Sequence, residues 1–474
     1  MKSLLSRRAL LASSAVSLAV PAAMASLAAA AQAAPTRLLV ERRTIEVDGR
    51  AASVFGIRQP DGSPGIVLDP GQPFSVTVEN RAAEATIIHW HGQTPPFLQD
   101  GVAETGGLLI QPRSVQAYDF PARPGTHWMH SHHGLQEQAL LAAPLVVRTA
   151  ADLKEDVQDV TVLLHDFSFR DPAEVLAAVT GAAKAAPGGA SMPGMSMAPI
   201  AGGPDLNDYD YDAYLANDRT LADPLVVRAA PGGRIRLRLI NGATSTGFWI
   251  DTGTLDGTVV AADGNPVRPV SGRRFPLAQG QRLDVIVPIP RDGGAFPVLA
   301  QREGDRRRTG VILASAGANV RKLADMAETA VPPLDNSLEA SLVAASPLPS
   351  GNGLITHRIA LTGSMTPYVW SLDDRTWADH VPLRASKGQR IVVEMSNRTR
   401  MAHPMHLHGH HFQVVALDGA AVSGAMRDTV LVPASGSVTV AFDADNPGRW
   451  LFHCHNLFHM ATGMMTELAY DGIA

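Results

Sequence analysis

The chain has 474 residues, length enough for roughly three domains of about 150 residues each. Forty basic and 45 acidic side chains leave a net charge of −5, which gives no electrostatic reason to expect nucleic acid, and 45% hydrophobic against 18% charged residues exclude a disordered chain. A single cysteine rules out an intramolecular disulfide framework, and 17 histidines are the unusual count.

Residues 1–33 read as a signal peptide: Lys2, Arg7 and Arg8 precede an uncharged Ala/Leu/Val/Ser run that ends at Ala31-Gln32-Ala33. Ser6-Arg7-Arg8-Ala9-Leu10-Leu11 resembles a twin-arginine export signal, which is an address and not an anchor. No other long apolar run follows, so the mature chain is expected to be soluble in a bacterial periplasm, with no membrane anchor after cleavage. A lone thiol in an oxidising compartment needs an occupant, which singles out Cys454.

One strand pattern then occurs three times. Phe74, Val76 and Val78 alternate between Gly71 and Asn80; Ile235, Leu237 and Leu239 between Gly232 and Asn241; Ile391, Val393 and Met395 between Gly388 and Asn397. Period-2 alternation bounded by turn formers predicts half-buried strands, and copies 161 and 156 residues apart indicate a domain-sized triplication. Helical periodicity is scarce elsewhere, so the fold class is all-β, sandwiches or barrels. The expected boundaries are 34–147, 148–315 and 353–474, with a Pro-, Ser- and Ala-rich connector over 316–352. Inside the second segment, residues 180–204 are Gly-, Ala-, Pro- and Met-rich with little patterning and are expected to form a mobile excursion.

Nine residues past the repeat Asn, the first and third copies carry His89-Trp90-His91 and His406-Leu407-His408, whereas the second carries Ile250-Asp251-Thr252. Five residues past a glycine, the same two carry His130-Ser131-His132 and His453-Cys454-His455, against Leu299-Ala300-Gln301. Random placement of the histidines predicts about 0.6 His-x-His pairs, and the chain has five. Residues two apart on a strand share a face, so four such pairs offer eight imidazoles that could converge on metal between two domains. Cys454 narrows the metal. With His403, His459 at +5 and Met464 at +10, on what is expected to be a loop leaving the strand, it supplies one thiolate, two imidazoles and a thioether, a blue-copper ligand set; structural zinc would want more cysteines. Alternation also turns Cys454 away from the face of His453 and His455, joining two metal sites through a very short covalent path.

His89-Trp-His91-Gly, His130-Ser-His132, His403-Pro-Met-His406-Leu-His408-Gly-His410 and His453-Cys454-His455-x3-His459-x4-Met464 resemble the four signature motifs of the multicopper oxidases, the family of laccases, bilirubin oxidases and cuprous oxidases. The resemblance spans the mature chain. It implies three cupredoxin-like Greek-key domains and four coppers: a type 1 copper on His403, Cys454, His459 and axial Met464, a type 2 on His89 and His406, and a type 3 pair on His91, His130, His132, His408, His453 and His455. It also implies one-electron oxidation of a small donor, Cu(I) or a phenol or aromatic amine, coupled to reduction of O2 to water. Asp100 matches the family's proton-donating acid, while Met460 stands where several bacterial members carry a second acid.

A methionine axial ligand suggests a modest type 1 potential and easily oxidised donors. His127, His133, His410 and His411 are read as supporting or structural, and His165, His357 and His380 as ordinary. Met192, Met195 and Met197 place three Cu(I)-selective thioethers together, and Met401 sits where cuprous oxidases also carry a methionine, although Thr399 replaces the acid two residues before it. The leading expectation is a monomeric periplasmic oxidase with a role in copper tolerance. The alternatives are a laccase-like phenol oxidase without that role and a non-catalytic protein of the same fold, the latter opposed by the complete ligand set; a two-copper nitrite-reductase-like protein fails on the four His-x-His pairs.

Overall fold

A computed structural model describes residues 34–181, 204–349, 351 and 354–473. The expected signal peptide and Met192, Met195 and Met197 lie outside the described residues. Among the described residues six sheets form three successive pairs along the chain, an all-β arrangement with one plan repeated. In each pair, one sheet is built around a repeat strand: Phe74–Asn80, Arg234–Asn241 and Arg390–Asn397. The second and third copies have a parallel neighbour on one side (Gln158–Phe167, Leu354–Met365) and an antiparallel one on the other (Arg282–Pro288, Ser437–Asp443).

The facing sheets share a plan as well. A short strand runs parallel to the last long strand of its sandwich (Ile66–Leu68 with Ala142–Val147, Val226–Arg228 with Arg308–Ala314, Leu383–Ala385 with Met465–Tyr470). That long strand pairs antiparallel with a strand beginning at or next to the repeated glycine (Gly125–Ser131, Ala295–Arg302, Arg449–Cys454). The next neighbour is the strand after the repeat Asn: Ile88–His89, Phe248–Asp251, His403–Leu407.

The repeat asparagines explain the shared turn. Asn80, Asn241 and Asn397 are buried, and each side-chain amide donates to a carbonyl four or five residues on, of Glu84, Thr246 or Met401. Each donates again to a carbonyl of a distant segment, of Ile110, Leu277 or Val432, while its Oδ1 accepts the N–H two residues later. One side chain thus satisfies three backbone groups at the corner where the chain crosses between sheets.

Between the sheets the alternating residues close the cores. Phe74, Val76 and Val78 pack with Tyr118, Phe120, Met129 and Leu145 in the first sandwich, each large side chain contributing about 1.5–3 kcal/mol by leaving water. Smaller clusters seal the joints: Trp128, Leu163 and Ile240 between first and second, Trp249, Leu334 and Leu431 between second and third, Val102, Leu451 and Met465 between first and third. The connector is anchored through its middle, with Val331, Leu334, Leu338 and Leu342 buried and the Trp249 indole donating to the Pro332 carbonyl at 2.9 Å. One helix that the sequence pattern did not indicate, Pro172–Val179, is started by the Asp171 cap and a proline in its first turn. Among the described residues, no helix is long and apolar enough to cross a membrane.

Candidate metal centre

The two strands that carry the His-x-His motifs are hydrogen-bonded neighbours, so His89 lies opposite His130 and His406 opposite His453. The middle sandwich pairs the corresponding strands but presents Ile250 and Leu299 there. His91, His132, His408 and His455 each fall just past a strand end. All eight imidazoles gather in one buried cluster between the first and third sandwiches. Ring nitrogens of His89, His91 and His130 lie within 4.8 Å of one another, as do those of His89, His406 and His408 and those of His132, His408 and His453. The His455 ring centre is 5.0 Å from that of His91.

The donor pattern tests whether a metal fits. His89 and His406 donate from Nδ1 to the carbonyls of Asp100 and Asp428 at 3.0 and 2.9 Å, His408 to Asp100 Oδ2 at 2.8 Å, and His453 to the Cys454 carbonyl at 2.9 Å. A ring protonated at Nδ1 has a lone pair at Nε2, yet His89 Nε2 faces His406 Nε2 at 3.4 Å and His408 Nε2 faces His453 Nε2 at 2.9 Å. Facing lone pairs repel unless a cation joins them. His91 Nδ1, His130 Nε2, His132 Nε2 and both nitrogens of His455 are buried with no partner at all, a cost of about 1–3 kcal/mol each if nothing binds there. Burial drives His91, His130, His132, His406, His408 and His455 well below the ordinary histidine range, and His453 to about 3, so the rings are in the neutral form that ligates metal. The residues fit a multinuclear metal site.

Cys454 belongs to a second, adjacent group. Its Sγ is 3.7 Å from His403 Nδ1 and 3.5 Å from His459 Nδ1, and those nitrogens are 3.1 Å apart. Burial pushes the thiol up, so a cation binding here must displace its proton. The segment after Cys454, expected as a loop, is instead a short helix, Leu457–Ala461, because the Asn456 side chain accepts the Phe458 and His459 N–H groups and so starts a helical turn. That turn carries His459 back toward the sulfur. Met464 is fully buried at the end of the turn, its N–H donating to the His459 carbonyl and its carbonyl accepting the Cys454 N–H.

Single-chain similarity decides the family. Three models described as multicopper oxidase match residues 39–152, 158–318 and 355–472. The multicopper oxidase MmcO of Mycobacterium tuberculosis is 31% identical over 439 residues, covering 90% of this chain and 85% of the relative. The chain belongs to the multicopper oxidase family. The oxidase is also 26% identical over 554 residues to a copper resistance protein A homolog of Pseudomonas syringae pv. tomato, 92% of each chain being covered. Its fold matches a laccase from Botrytis aclada with a TM-score of 0.74 at 23% identity, over 92% of this chain and 87% of that one. Membership makes the oxidase a copper-dependent oxidoreductase that passes electrons from a reducing substrate to O2.

Several groups around these histidines had other readings, or none, in the sequence. Thr399, noted there only for replacing an acid near Met401, puts Oγ1 2.8 Å from His403 Nε2. Asp208 Oδ2, not singled out, lies 3.4 Å from His459 Nε2, and the Trp370 ring centre is 4.2 Å from that of His459. Burial raises the Asp208 carboxyl, but His459 and hydrogen bonds from Asn456 and Tyr368 outweigh it and hold it below its usual value. Glu137 Oε2 reaches His130 Nδ1 at 2.9 Å, and Asp428 Oδ1 reaches His91 Nε2 at 3.0 Å. Asp428 carried a faint signal, the Arg427-Asp428 pair leading into the apolar run Val430-Leu-Val432, whereas Glu137 and Asp208 stand among polar residues and carried none. Of the other histidines, His410 donates to the His408 carbonyl and accepts the Tyr470 hydroxyl, and His411 donates to the Gly92 carbonyl. His127 faces the Pro124 carbonyl and His165 that of Gly242, while His133 is half-buried. His357 faces the Arg384 carbonyl, and His380 stacks on Trp377.

Proposed function

We propose that His403, Cys454, His459 and axial Met464 hold a type 1 copper that takes electrons singly from a donor, and that the eight clustered histidines hold three more coppers. His89 and His406 would carry type 2, and His91, His130, His132, His408, His453 and His455 the type 3 pair. When bound, copper supplies the one-electron steps that carry four electrons to O2 and release water. The chain's own residues do the rest. Cys454 joins the two sites covalently, since its sulfur faces His403 and His459 while its neighbours His453 and His455 stand in the cluster. That arrangement is the observation that carries the reading. Asp100, buried with Oδ2 on His408 and Oδ1 3.3 Å from His89 Nδ1, is the proton-supplying acid. The Thr399 hydroxyl is hydrogen-bonded to the outer nitrogen of His403, and the Asp208 carboxylate stands 3.4 Å from that of His459.

The donor is Cu(I), with a role in copper tolerance, supported by the similarity to a copper resistance protein A homolog. The protein acts as a monomer in the periplasm after export by the twin-arginine-type signal. A second reading, a laccase-like phenol oxidase, is favoured by Thr399: it is turned to His403, so no carboxylate stands two residues before Met401 to help bind Cu(I). Metal analysis and an optical spectrum of purified protein test the copper assignment, which requires four coppers per chain and an intense blue absorption. O2 uptake with Cu(I) or a phenol, on the full chain and after deletion of residues 189–199, separates the donors; a one-copper or zinc protein overturns the proposal.

A further inference from the structure

The middle sandwich contributes no ligand histidine, yet two of its residues reach the cluster. Gly280 adopts φ +78°, and a Cβ there would come within 2.8 Å of His455 Cδ2 and 3.2 Å of His91 Cε1. Two residues on, Arg282 is fully buried and forms a fork on Asp428 of the third sandwich, Nη1 to Oδ1 at 2.6 Å and Nη2 to Oδ2 at 2.5 Å. The guanidinium is held from other sides by the carbonyls of Gly280 and Thr126 at 3.0 and 3.2 Å. Asp263 accepts the Arg282 N–H and pairs with Arg427, which donates to Glu339 at 2.6 Å. Five buried charges thus tie the middle sandwich and the connector to the third sandwich beside the cluster. Such pairs are poor sources of stability, because desolvation offsets their attraction; they are better suited to fixing one geometry.

What they fix is His91. Asp428 Oδ1 lies 3.0 Å and Thr429 Oγ1 3.2 Å from His91 Nε2; the arginine fork holds both carboxylate oxygens and the Thr429 hydroxyl donates to Asp428 Oδ1, so both groups face the ring as acceptors. An ionised acceptor draws the ring proton to Nε2, leaving the lone pair on Nδ1, the buried nitrogen without a partner. His89, His406, His408 and His453 do the opposite, donating from Nδ1 and turning Nε2 inward. The residue after His91 bears the mark of the same pair: a Cβ on Gly92 (φ +87°) would lie 2.5 Å from Arg282 Nη2 and 3.0 Å from Asp428 Oδ2.

We infer that Arg282 is a positioning residue which, through Asp428, sets the tautomer and orientation of His91, so that the metal-free middle sandwich tunes the type 3 site. The inference rests on the copper assignment proposed above. It is tested on the copper-loaded full chain with Arg282→Met, Arg282→Lys and Asp428→Asn. Arg302→Met serves as control, because Arg302 is equally buried in the middle sandwich but pairs with Asp210 and Asp305. Arg282→Met and Asp428→Asn are expected to keep the blue absorption and the KM for the donor. They are expected to lose about 10–100-fold in cluster copper affinity and in kcat. Arg282→Lys is expected to recover part of this, and Arg302→Met to leave the cluster loaded. In copper-free protein, histidine ring 15N spectra should show a mixed tautomer at His91 only in the Arg282 and Asp428 variants. Native cluster copper and kcat in Asp428→Asn, which preserves side-chain size should Arg282→Met not fold, overturn the inference. So does an equal loss in Arg302→Met. A wild-type chain that takes up no cluster copper overturns the copper assignment and this inference together.

Discussion

Replacing Asp100 separates holding a ligand from supplying a proton. The side chain is fully buried, with Oδ2 2.8 Å from His408 Nδ1 and its backbone carbonyl 3.0 Å from His89 Nδ1. In Asp100→Asn the amide oxygen can still accept from His408 and the backbone bond to His89 is untouched, so the ligands stay in place and the copper content should not change. Only the capacity to take up and release a proton is lost. A positioned acid contributes about 10²–10⁴-fold, equivalent to about 3–5 kcal/mol at 1.36 kcal/mol per tenfold, so kcat for O2 reduction should fall by that factor with blue absorption retained. Asp100→Ala also removes a hydrogen bond of the charged type, about 1.5–3 kcal/mol, and should weaken cluster copper roughly 10–100-fold. Steady-state O2 uptake beside metal analysis reads both effects. Full turnover in a copper-replete Asp100→Asn protein would refute the acid role and leave Asp100 only as the anchor of His408.

Cys454→Ser should abolish the blue absorption and lower donor oxidation about 100-fold or more, while metal analysis still finds the cluster coppers; undiminished O2 uptake would remove the basis for the electron path. Asn241→Ala strips three buried backbone groups of their partner in a sandwich without ligands, so it should cost about 2–4 kcal/mol in thermal unfolding and leave turnover at room temperature unchanged. Burial lifts the Glu303 carboxyl from 4.5 to about 7, against a single N–H from Leu334. The folded state therefore keeps a proton that the unfolded chain gives up, and stability present below pH 4.5 is lost as pH rises through 7, by about 3 kcal/mol. Glu303→Gln should flatten that part of the denaturation-midpoint profile between pH 5 and 8, and an unchanged slope would contradict it.

Much of this molecule was legible in one dimension. The alternation in Phe74–Asn80, Arg234–Asn241 and Arg390–Asn397 announced strands, and their spacing announced three copies of one plan, because period and turn residues report backbone geometry locally. The His-x-His pairs and Cys454 likewise pointed, through composition and spacing, to side chains that the structure gathers into two buried groups. Two local features escaped: the helix Pro172–Val179 is too short for periodicity to stand out, and the turn Leu457–Ala461 depends on a cap by Asn456 rather than on an apolar stripe.

What the tertiary structure alone decided is which distant group each ligand meets. Arg282 and Asp428 are 146 residues apart, His408 and Asp100 are 308, and His459 meets Asp208 across two sandwiches. A carboxylate or guanidinium in the sequence is by default a solvated surface charge. It becomes an orienting partner only when packed sheets exclude water from around it. Which side chains could hold metal is therefore written in local spacing, whereas the partner that each imidazole meets follows from how the three sandwiches close on one another.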